Sequence, residues 1–556
     1  MTETDPLAHL LRTGATHQQA GRIDEARAAY EQALTLDPRQ IGALLMLSWI
    51  YIREGRIDEG LKLTVDGASY YPDDAMVQAS LGETLAALGR LDEALVQVDR
   101  AVALDPALLP PQLVRAECLR KLDRPAEALA GYDLVLAMDR NNLSAISGRA
   151  MTLQALRRPA EAVAAYDAAL ALDPRHPTLH SNRANALFDL DRFKEALTAY
   201  DAALAAAPNA AEVWTNRGTV LLEFGRIDDA MASFRRAVQL QPDFLFGLMN
   251  LALGRLLLGD YRGGFERSAW RRRFAEGQAE ARGFTQPLWF GEGDLTGRTL
   301  LVYDDQGAGD SLQFCRYLPR LTALGARVVF ATQPELMRLF ADLPGAAEVV
   351  LLEGELPPHD LQTPLSALPI ALGDTLETLP AERGYLAAPD QDRRGWAERL
   401  GAARGKRIGI AWSGNPTHVT HHKRKLPLDE LLAALPPGVE TVCLQVGADA
   451  EASADKLKAA GVRRTDQELT DFADTAGLIA NLDLVITGDT SVAHLAGALG
   501  KPVWLLTAYV PDWRWLLTRA DSPWYPSMRL LRQERAADWS APMGRLKADL
   551  KTWAAQ

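Results

Sequence analysis

The segment DRFKEALTAYDAALAAAP, residues 191–208, carries four marks that recur along the first half of the chain at intervals of 34 residues. They are a turn residue at Asp191, a small residue at Ala196, an aromatic ring at Tyr200 and a proline at Pro208. Glycine or aspartate ends a first helix, a small side chain lets a second helix pack closely, and proline ends the second helix. The period therefore predicts a solenoid built from helix pairs.

The marks keep their spacing over seven or eight units. The turn position holds Gly21, Gly55, Gly89, Asp123, Arg157, Asp191, Gly225 and Gly259. The small position holds Ala26, Gly60, Ala94, Ala128, Ala162, Ala196 and Ala230. The proline position holds Pro38, Pro72, Pro106, Pro174, Pro208 and Pro242, with Arg140 in the remaining slot. This pattern resembles the tetratricopeptide repeat, which implies a right-handed superhelix with a concave groove over residues 1–270.

The chain has 556 residues, a net charge of −12 and 24% charged side chains. Its acidity argues against nucleic-acid binding, which uses a basic face. Cys118, Cys315 and Cys443 are far apart and form no metal or redox spacing, which favours a reducing compartment. The sequence shows neither a secretory signal nor an apolar run of about 20 residues. We therefore expect a cytoplasmic protein with no membrane span and no nucleic-acid partner.

Strands and helices alternate in the second half of the chain. The apolar runs TLLVYDD, ARVVFAT and AEVVLLE are separated by the helical segments QGAGDSLQFCRYLPRLTALG and PELMRLFADLPG (residues 334–345). The alternation restarts at Lys406 with KRIGIAWSG. Two such units predict parallel sheets in two Rossmann-like α/β lobes, with a ligand cleft beyond the carboxyl ends of the strands. We expect a linker over 271–298, a first lobe over 299–390 and a second lobe over 391–556.

A helix N-terminus is predicted in GDTSVAHLAGALGKPVW, residues 488–504, after a short apolar strand. Its free N–H groups and partial positive charge suit a phosphate or diphosphate. Hydroxyl groups add further donors, while Asp489 suits a ribose or sugar hydroxyl, or alternatively caps the helix. For His494, contact with a phosphate and simple packing are both open. The candidate donor-binding residues here are Gly488, Asp489, Thr490, Ser491 and His494.

A family resemblance covers residues 285–535. The segment DTAGLIANLDLVITGDTSVAHLAGALGKPVW, followed by DWRWLL and DSPWYP, resembles glycosyltransferase family 9, the heptosyltransferases, and QGAGDSLQFCRYLP resembles the first loop of that family. The resemblance implies a GT-B fold, a nucleotide-sugar donor on the second lobe and an acceptor on the first. It also implies donor contacts from Asp489, Thr490 and Ser491, and no need for a metal cofactor.

Asp310 is the candidate general base, because it matches the aspartate that has this proposed role in the family. Deprotonating an acceptor hydroxyl needs a carboxylate held within hydrogen-bond reach by a short, rigid loop. Asp310 follows Gly307 and Gly309 in such a loop. The alternative is a helix N-cap, since a helix is predicted directly after it. Asp304 and Asp305 are the second choices for the base.

The segment AWSGNPTHVTHHKRKLPL follows the first strand of the second lobe. Gly414 and Asn415 are predicted to form a tight turn at the cleft. The basic cluster after them fits a clamp for a leaving diphosphate, and Arg424 stands where relatives have a phosphate-contacting cation. The cluster consists of His421, His422, Lys423, Arg424 and Lys425. A metal site at His418, His421 and His422 is disfavoured, because their spacing has no helical or strand register.

Two ladders of polar residues run through the repeats with the same period. Asn182, Asn216 and Asn250 resemble the asparagine ladder with which protein O-GlcNAc transferases hold a peptide backbone; an amide both donates and accepts. Structural hydrogen bonds between helices are the alternative reading. The second ladder pairs arginines with aspartates, which favours ion pairs between neighbouring repeats. Its members are Arg115, Arg149, Arg183 and Arg217, with Asp99, Asp133, Asp167 and Asp201.

The aromatic residues Trp513, Trp515, Trp524 and Tyr525 cluster after the last predicted strand. They suit either stacking on a ligand or filling the seam between the lobes, and we favour the seam, with Asp512 and Arg514 as rim contacts.

These features together predict a glycosyltransferase that moves a sugar from a nucleotide donor to a Ser or Thr hydroxyl of a protein held in the repeat groove. The combination of domains resembles the bacterial flagellin-modifying glycosyltransferases with tetratricopeptide repeats. That resemblance implies flagellin as a candidate partner and a nonulosonic acid linked to CMP as the donor. Two alternatives stay open: an enzyme acting on a lipopolysaccharide or capsular glycan, and a non-enzymatic interaction scaffold.

Overall fold

The computed structural model describes residues 5–266, 269–403, 405–416 and 421–556. The chain divides into two compact units, of which the first ends at Val213 and the second begins at Trp214. The boundary between the units therefore lies within the repeats, and the last described repeats belong to the same unit as the two α/β lobes.

The first unit is all helical. Its helices are α1 Pro6–Gln19, α2 Ile23–Leu36, α3 Ile41–Arg53, α4 Ile57–Tyr70, α5 Ala75–Ala87, α6 Leu91–Leu104, α7 Leu109–Lys121, α8 Pro125–Met138, α9 Leu143–Ala155, α10 Pro159–Leu172, α11 Pro177–Phe188 and α12 Phe193–Ala206. Consecutive helices pair as antiparallel neighbours across short turns, as the 34-residue period predicts.

The turn position explains why each first helix ends where it does. Its backbone is left-handed in every described repeat, with φ of 73° at Gly21 and 56° at both Asp123 and Asp191. Glycine adopts this conformation without strain, and aspartate is one of the few other residues that tolerate it. Arg157 adopts the same conformation, with φ of 58°. The predicted helix ends are therefore confirmed, and the repeat keeps its turn geometry even where the glycine is lost.

The small position explains the close packing of each pair. Ala94, Ala128 and Ala162 are fully buried. A Cβ atom at Gly60 would lie 2.7 Å from Ile52 Cγ1 and 3.1 Å from the Ser48 carbonyl oxygen, so a larger side chain would push the helices apart.

The arginine–aspartate ladder forms ion pairs between neighbouring repeats, as the spacing predicts. The Nε–Oδ1 distances are 2.5 Å for Arg115–Asp99 and 2.6 Å for both Arg149–Asp133 and Arg183–Asp167. The aspartate side chains are about half exposed, so each pair contributes about 0.2–1 kcal/mol.

The second unit begins with repeat helices and continues into two parallel sheets. Its first helices are α13 Ala211–Glu223, α14 Ile227–Leu240, α15 Leu245–Leu257, α16 Tyr261–Glu266 and α17 Ala269–Ala281. Part of the segment expected to be a linker, residues 271–281, is therefore helical and belongs to α17.

The first lobe is a four-stranded parallel sheet with strand order β3-β2-β1-β4. Its elements are β1 Thr299–Tyr303, α18 Ala308–Phe314, α19 Leu318–Ala323, β2 Arg327–Thr332, β3 Glu348–Leu351, β4 Leu361–Pro364 and α20 Leu368–Ala371. The predicted helix over 334–345 is wrong: only a 3-10 turn, Pro334–Leu336, forms there. Its apolar side chains are buried around a turning chain instead of along one helical stripe, so tertiary packing overrides the local pattern.

The second lobe is a five-stranded parallel sheet with strand order β6-β5-β7-β8-β9. Its strands are β5 Arg407–Ala411, β6 Glu440–Cys443, β7 Leu484–Thr487, β8 Val503–Thr507 and β9 Met528–Arg532. Its helices are α21 Asp390–Leu400, α22 His421–Arg424, α23 Leu428–Ala434, α24 Ala448–Ala452, α25 Ala454–Ala459, α26 Phe472–Ala480, α27 Ser491–Ala498 and α28 Ser540–Ala555. The two predicted α/β lobes are confirmed, whereas the edge strand β9 was not foreseen.

An aromatic cluster joins the last repeat to both lobes. The Trp524 indole N–H donates to the Tyr261 hydroxyl at 3.0 Å. The ring of Tyr261 lies 5.7 Å from that of Trp513, and the ring of Phe314 in α18 lies 5.9 Å from that of Trp524. All four side chains are buried. The predicted aromatic seam is therefore confirmed, and it also includes a repeat helix.

None of the helices formed by the described residues combines the length and the apolar character that a bilayer crossing demands.

The Tyr261–Trp524 hydrogen bond should contribute measurably to stability. Tyr261→Phe keeps the ring packing but leaves the buried indole N–H without its acceptor, which should lower the free energy of unfolding by about 1–3 kcal/mol. Denaturant unfolding of the full chain, followed by tryptophan fluorescence, measures the effect. Tyr70→Phe, at an exposed ring, is the matched control and should change little. Equal unfolding curves for both variants would contradict the role assigned to the bond.

Candidate active site

The two lobes approach each other where α18 and α27 begin. Both helices follow the carboxyl ends of central strands, β1 and β7. A Cβ atom at Gly309 would lie 3.1 Å from His494 Cδ2 and 3.7 Å from Ser491 Cα. Because glycine has no side chain, the first turn of α18 can lie directly against α27. This junction is the part of the cleft that brings the predicted base and donor residues together.

Asp310 lies in the first turn of α18, and its carboxylate points at the second lobe. Arg514 Nη2 donates to Asp310 Oδ1. The N-cap of α18 is Gly307, without a side-chain hydrogen bond, so the alternative interpretation of Asp310 as an N-cap is wrong. Burial raises the pKa of Asp310 above its ordinary value, while Arg514 opposes that rise. The carboxylate therefore lies at the lobe junction beside a cation, and its role as the general base stays a prediction.

Arg514 is the central cation of the site. Its guanidinium donates through Nη1 to Asp512 Oδ1 at 2.9 Å, through Nη2 to Asp310 and through Nε to Gln313 Oε1. The side chain is only 13% exposed and lies over the Trp513 ring, 4.6 Å from its centroid. The expectation of a rim contact is therefore wrong for Arg514. Its position follows from burial in the aromatic cluster, which a single sequence does not show.

Asp304 and Asp305, the second choices for the base, have structural partners. Asp304 is 2% exposed and accepts a hydrogen bond from Thr332 Oγ1 at 2.5 Å, which joins the ends of β1 and β2. Asp305 accepts from the Ser366 backbone N–H at 3.0 Å and from its hydroxyl at 2.5 Å. Both carboxylates hold the loops at the sheet edge, and Asp310 remains the residue that reaches the lobe junction.

Helix α27 presents its N-terminus to the junction. Its N-cap is Thr490, which makes no side-chain capping bond; its hydroxyl lies 3.1 Å from that of Thr487. The alternative reading of Asp489 as the helix cap is therefore wrong. Arg424 Nη1 lies 3.4 Å from Asp489 Oδ2. The backbone donors of the first turn are thus left without a side-chain cap, with one cation beside them.

The glycines next to α27 allow close contacts. A Cβ atom at Gly488 would lie 3.0 Å from the Arg424 carbonyl oxygen, so the segment that carries Arg424 packs closely against the loop before α27. A Cβ atom at Gly414 would lie 3.6 Å from Thr490 Cγ2, which places the loop after β5 against the start of α27. Asn415 follows in that loop and is exposed.

His494 is buried inside the second lobe. Its Nδ1 lies 2.8 Å from the Tyr525 hydroxyl, and its ring lies 5.4 Å from that of Trp515. Burial, with the nearby Arg514, lowers the pKa of His494 to about 3. The imidazole is therefore neutral at physiological pH and cannot supply a positive charge to a phosphate. Contact through its neutral ring remains a prediction.

The basic run after β5 is divided among three carboxylates. Lys423 Nζ lies 2.9 Å from Glu223 Oε2 of α13, and Lys425 Nζ lies 2.6 Å from Asp449 Oδ1. Of these three cations, Arg424 is the one directed toward α27. The prediction of one joint clamp is therefore wrong for the two lysines. His418 and the side chain of His422 lie outside the described residues, so the expectation that no metal binds here stays a prediction.

Each residue of the predicted asparagine ladder lies at the surface of a repeat helix. Asn182 in α11, Asn216 in α13 and Asn250 in α15 are all partly exposed. Asn250 Nδ2 donates to the Phe246 carbonyl oxygen of its own helix at 2.9 Å, which leaves its amide oxygen available as an acceptor. Acceptor binding by the three amides stays a prediction.

The chain's relationship to known proteins agrees with this geometry. Residues 429–529 match the family model of glycosyltransferase family 9 (heptosyltransferase), a range that includes β7, α27 and Arg514. Models of the tetratricopeptide repeat match residues 17–83, 75–100, 148–210 and 181–243. The chain is therefore similar to tetratricopeptide repeat proteins over parts of its first half and to glycosyltransferase family 9 over residues 429–529. The family 9 match supports glycosyl transfer in general.

A curated relative and two solved structures show further likeness. Protein FlbA of Caulobacter vibrioides is 30% identical over 337 residues, which are 55% of this chain and 56% of FlbA, so the chain spans little more than half of that relative's length. A tetratricopeptide repeat protein from Parabacteroides merdae matches 45% of this chain and 98% of its own, with 17% identity and a TM-score of 0.37. A thermophilic repeat protein of Thermus thermophilus matches 33% and 99%, with 25% identity and a TM-score of 0.29.

The buried Asp304 should make stability depend on pH. Burial raises its pKa to about 6 in the folded protein. Between pH 4 and pH 6 the unfolded chain loses this proton, whereas the folded chain keeps it. The contribution of Asp304 to the free energy of unfolding therefore falls as pH rises, by about 2–3 kcal/mol in total. Asp304→Asn removes the titration and keeps the shape, so the variant should be more stable than the wild type at pH 7 and similar to it at pH 4.

Chemical denaturation of both proteins between pH 4 and pH 7 measures this difference. Asp342→Asn, which changes an exposed carboxylate in the same lobe, is the control. A stability gap between wild type and Asp304→Asn that does not widen toward pH 7 would contradict the assignment.

Proposed function

We propose that this protein transfers a sugar from a nucleotide-activated donor to a hydroxyl group of a protein acceptor. The observation that carries the proposal is the junction of α18 and α27, where Gly309, next to Asp310, packs against Ser491 at the uncapped N-terminus of α27. One element suits a proton acceptor and the other suits the phosphate of a donor. The family 9 match supports the same reaction class.

In this proposal the acceptor hydroxyl lies next to Asp310. The carboxylate takes the hydroxyl proton while the oxygen forms a bond to the anomeric carbon of the donor sugar. The bond from that carbon to the phosphate oxygen breaks, and its electron pair leaves with the nucleotide. The N–H groups of α27, the hydroxyls of Thr490 and Ser491, and Arg424 stabilise the developing negative charge. No metal is needed, because fixed cations and N–H dipoles perform this role.

The acceptor is proposed to be a protein whose backbone is held by Asn182, Asn216 and Asn250. The amides suit this task because each can donate to a carbonyl group and accept from an N–H group. A Ser or Thr side chain supplies the hydroxyl. Flagellin is the candidate acceptor and a nonulosonic acid on CMP the candidate donor, both by the resemblance to flagellin-modifying enzymes.

A glycan acceptor is the second candidate. The family description, heptosyltransferase, names the kind of sugar that is transferred and does not name a protein acceptor. On that reading the repeats dock a partner enzyme and the three asparagines play no part in acceptor binding.

Asp310→Asn should slow transfer while leaving donor binding intact. The variant keeps the size of the side chain and removes its basicity, so the rate should fall by about 10²–10⁴-fold. Nucleotide release measured with a purified acceptor gives the rate, and calorimetry gives the affinity for the donor. Glu335→Gln, at an exposed carboxylate of the same lobe, serves as the control. Turnover by Asp310→Asn at the wild-type rate would remove Asp310 from the mechanism.

Donor affinity should depend on one cation of the basic run. Arg424→Gln should weaken binding of a nucleotide by about 1–3 kcal/mol, because it removes the charge beside the α27 N-terminus. Lys425→Gln is the matched control; its charge is directed to Asp449, so donor affinity should stay near that of the wild type. Calorimetric titrations with and without EDTA complete the test. Equal losses of donor affinity for both variants would support a joint phosphate clamp of Arg424 and the lysines. A loss of donor binding in EDTA would indicate a bound metal.

The asparagines distinguish the two acceptor classes. Replacing Asn182, Asn216 and Asn250 by alanine should weaken binding of a protein acceptor by about 10- to 1000-fold, since each main-chain hydrogen bond contributes about 0.5–1.5 kcal/mol. Donor affinity and the unfolding midpoint should stay unchanged. Asn209→Ala, at an exposed turn between repeats, is the control. A triple variant that melts earlier and loses donor and acceptor binding together would show that the amides are structural.

A further inference from the structure

We infer that Arg514 is the positioning residue for Asp310: from the second lobe it orients the carboxylate and favours its charged form. The inference rests on the proposed function, because it assumes that Asp310 takes the acceptor proton. It adds a role for a residue of the second lobe in a step performed by a residue of the first.

The geometry of Arg514 supports this role. Two of its hydrogen bonds cross the junction, to Asp310 and to Gln313, both on α18 of the first lobe. The third bond anchors it in its own lobe, at Asp512, which also accepts from the Arg514 backbone N–H at 3.0 Å. A planar guanidinium that serves three acceptors at once has one orientation. The Asp310 carboxylate is therefore held by the fixed guanidinium group of Arg514, which belongs to the other lobe.

Two aromatic rings packed around Arg514 restrict the motion of its guanidinium group. Its guanidinium carbon lies 4.6 Å from the ring centre of Trp513 and 5.4 Å from that of Phe314. One ring comes from each lobe, and both are part of the buried aromatic cluster. Gln313 is fully buried, and its Nε2 has no partner among the described residues, so one polar group at the junction is left for a ligand or a water molecule.

Several charged groups surround Asp310. On the second lobe these are Arg514 and Asp512. On the first lobe Asp305 follows β1, and Arg271 of α17 donates to Ser366 Oγ at 3.2 Å beside it. From α27 the nearest titratable group is His494, which is neutral. Arg514 is the cation that donates directly to the Asp310 carboxylate, so it has the largest favourable influence on the charged form.

Without Arg514, Asp310 would lose both the cation beside it and the group that orients it. The base would then be poorly aimed and more readily protonated at a given pH.

The test uses the full chain and the pH dependence of kcat/KM for transfer. Arg514→Gln should move the acid limb of the profile upward by about 1–3 pH units, because an adjacent opposite charge lowers a carboxyl pKa by that amount. Arg514→Lys keeps the positive charge but loses the planar guanidinium group. The acid limb of its pH profile should therefore stay in place, while kcat falls. Arg519→Gln is the matched control: this exposed arginine of the same loop pairs with Asp521, and its removal should change neither quantity.

The outcomes separate the inference from the proposed function. If Asp310→Asn is inactive but Arg514→Gln leaves the acid limb unmoved, the inference is wrong and the base assignment stands. If Asp310→Asn is fully active, both are wrong. Should Arg514→Gln fail to fold, Arg514→Lys and Gln313→Met give the same decision: lower kcat with an unchanged unfolding midpoint supports positioning. A loss of kcat that only follows a loss of stability overturns it.

Discussion

The hydrogen bond from the Trp524 indole to the Tyr261 hydroxyl lies inside an aromatic cluster where three parts of the chain meet. Tyr261 comes from the last repeat, Phe314 from the first lobe and Trp524 from the second. Their burial fixes the lobes against each other and so determines where α18 and α27 face. The repeats after Trp214 therefore belong to the same compact unit as the two lobes. Deleting residues 1–270 would remove Tyr261 and expose the rest of the cluster, whereas deleting residues 1–213 would leave all of its residues in place.

Charge is matched throughout the cleft. Arg514 lies between Asp310 and Asp512, and Arg424 lies beside Asp489. An isolated buried charge would be costly, so each of these carboxylates is stabilised by a neighbouring cation. The same matching leaves α27 without a side-chain cap. Its first-turn N–H groups have no side-chain acceptor, and the proposed position of the donor phosphate follows from this.

The sequence predicts the repeats, both α/β lobes and the convergence of Asp310 with α27, because these follow from periodicity, strand alternation and the family resemblance. It does not predict Arg514 at the centre, the division of Lys423 and Lys425 between separate carboxylates, or the non-helical segment after β2. Each of these depends on contacts between residues far apart in the chain. The same is true of Asp304. The sequence places it directly after β1, but its hydrogen bond with Thr332 can be predicted only when the register between β1 and β2 is known.

We propose that a sugar is transferred to a protein hydroxyl in this cleft. Intact-mass spectrometry of a candidate acceptor such as flagellin, produced with the full chain and without it, tests this proposal most directly. We expect a discrete mass increase that depends on the full chain and maps to Ser or Thr residues. An acceptor of unchanged mass, together with donor sugar appearing on a lipopolysaccharide or capsular glycan, would contradict it.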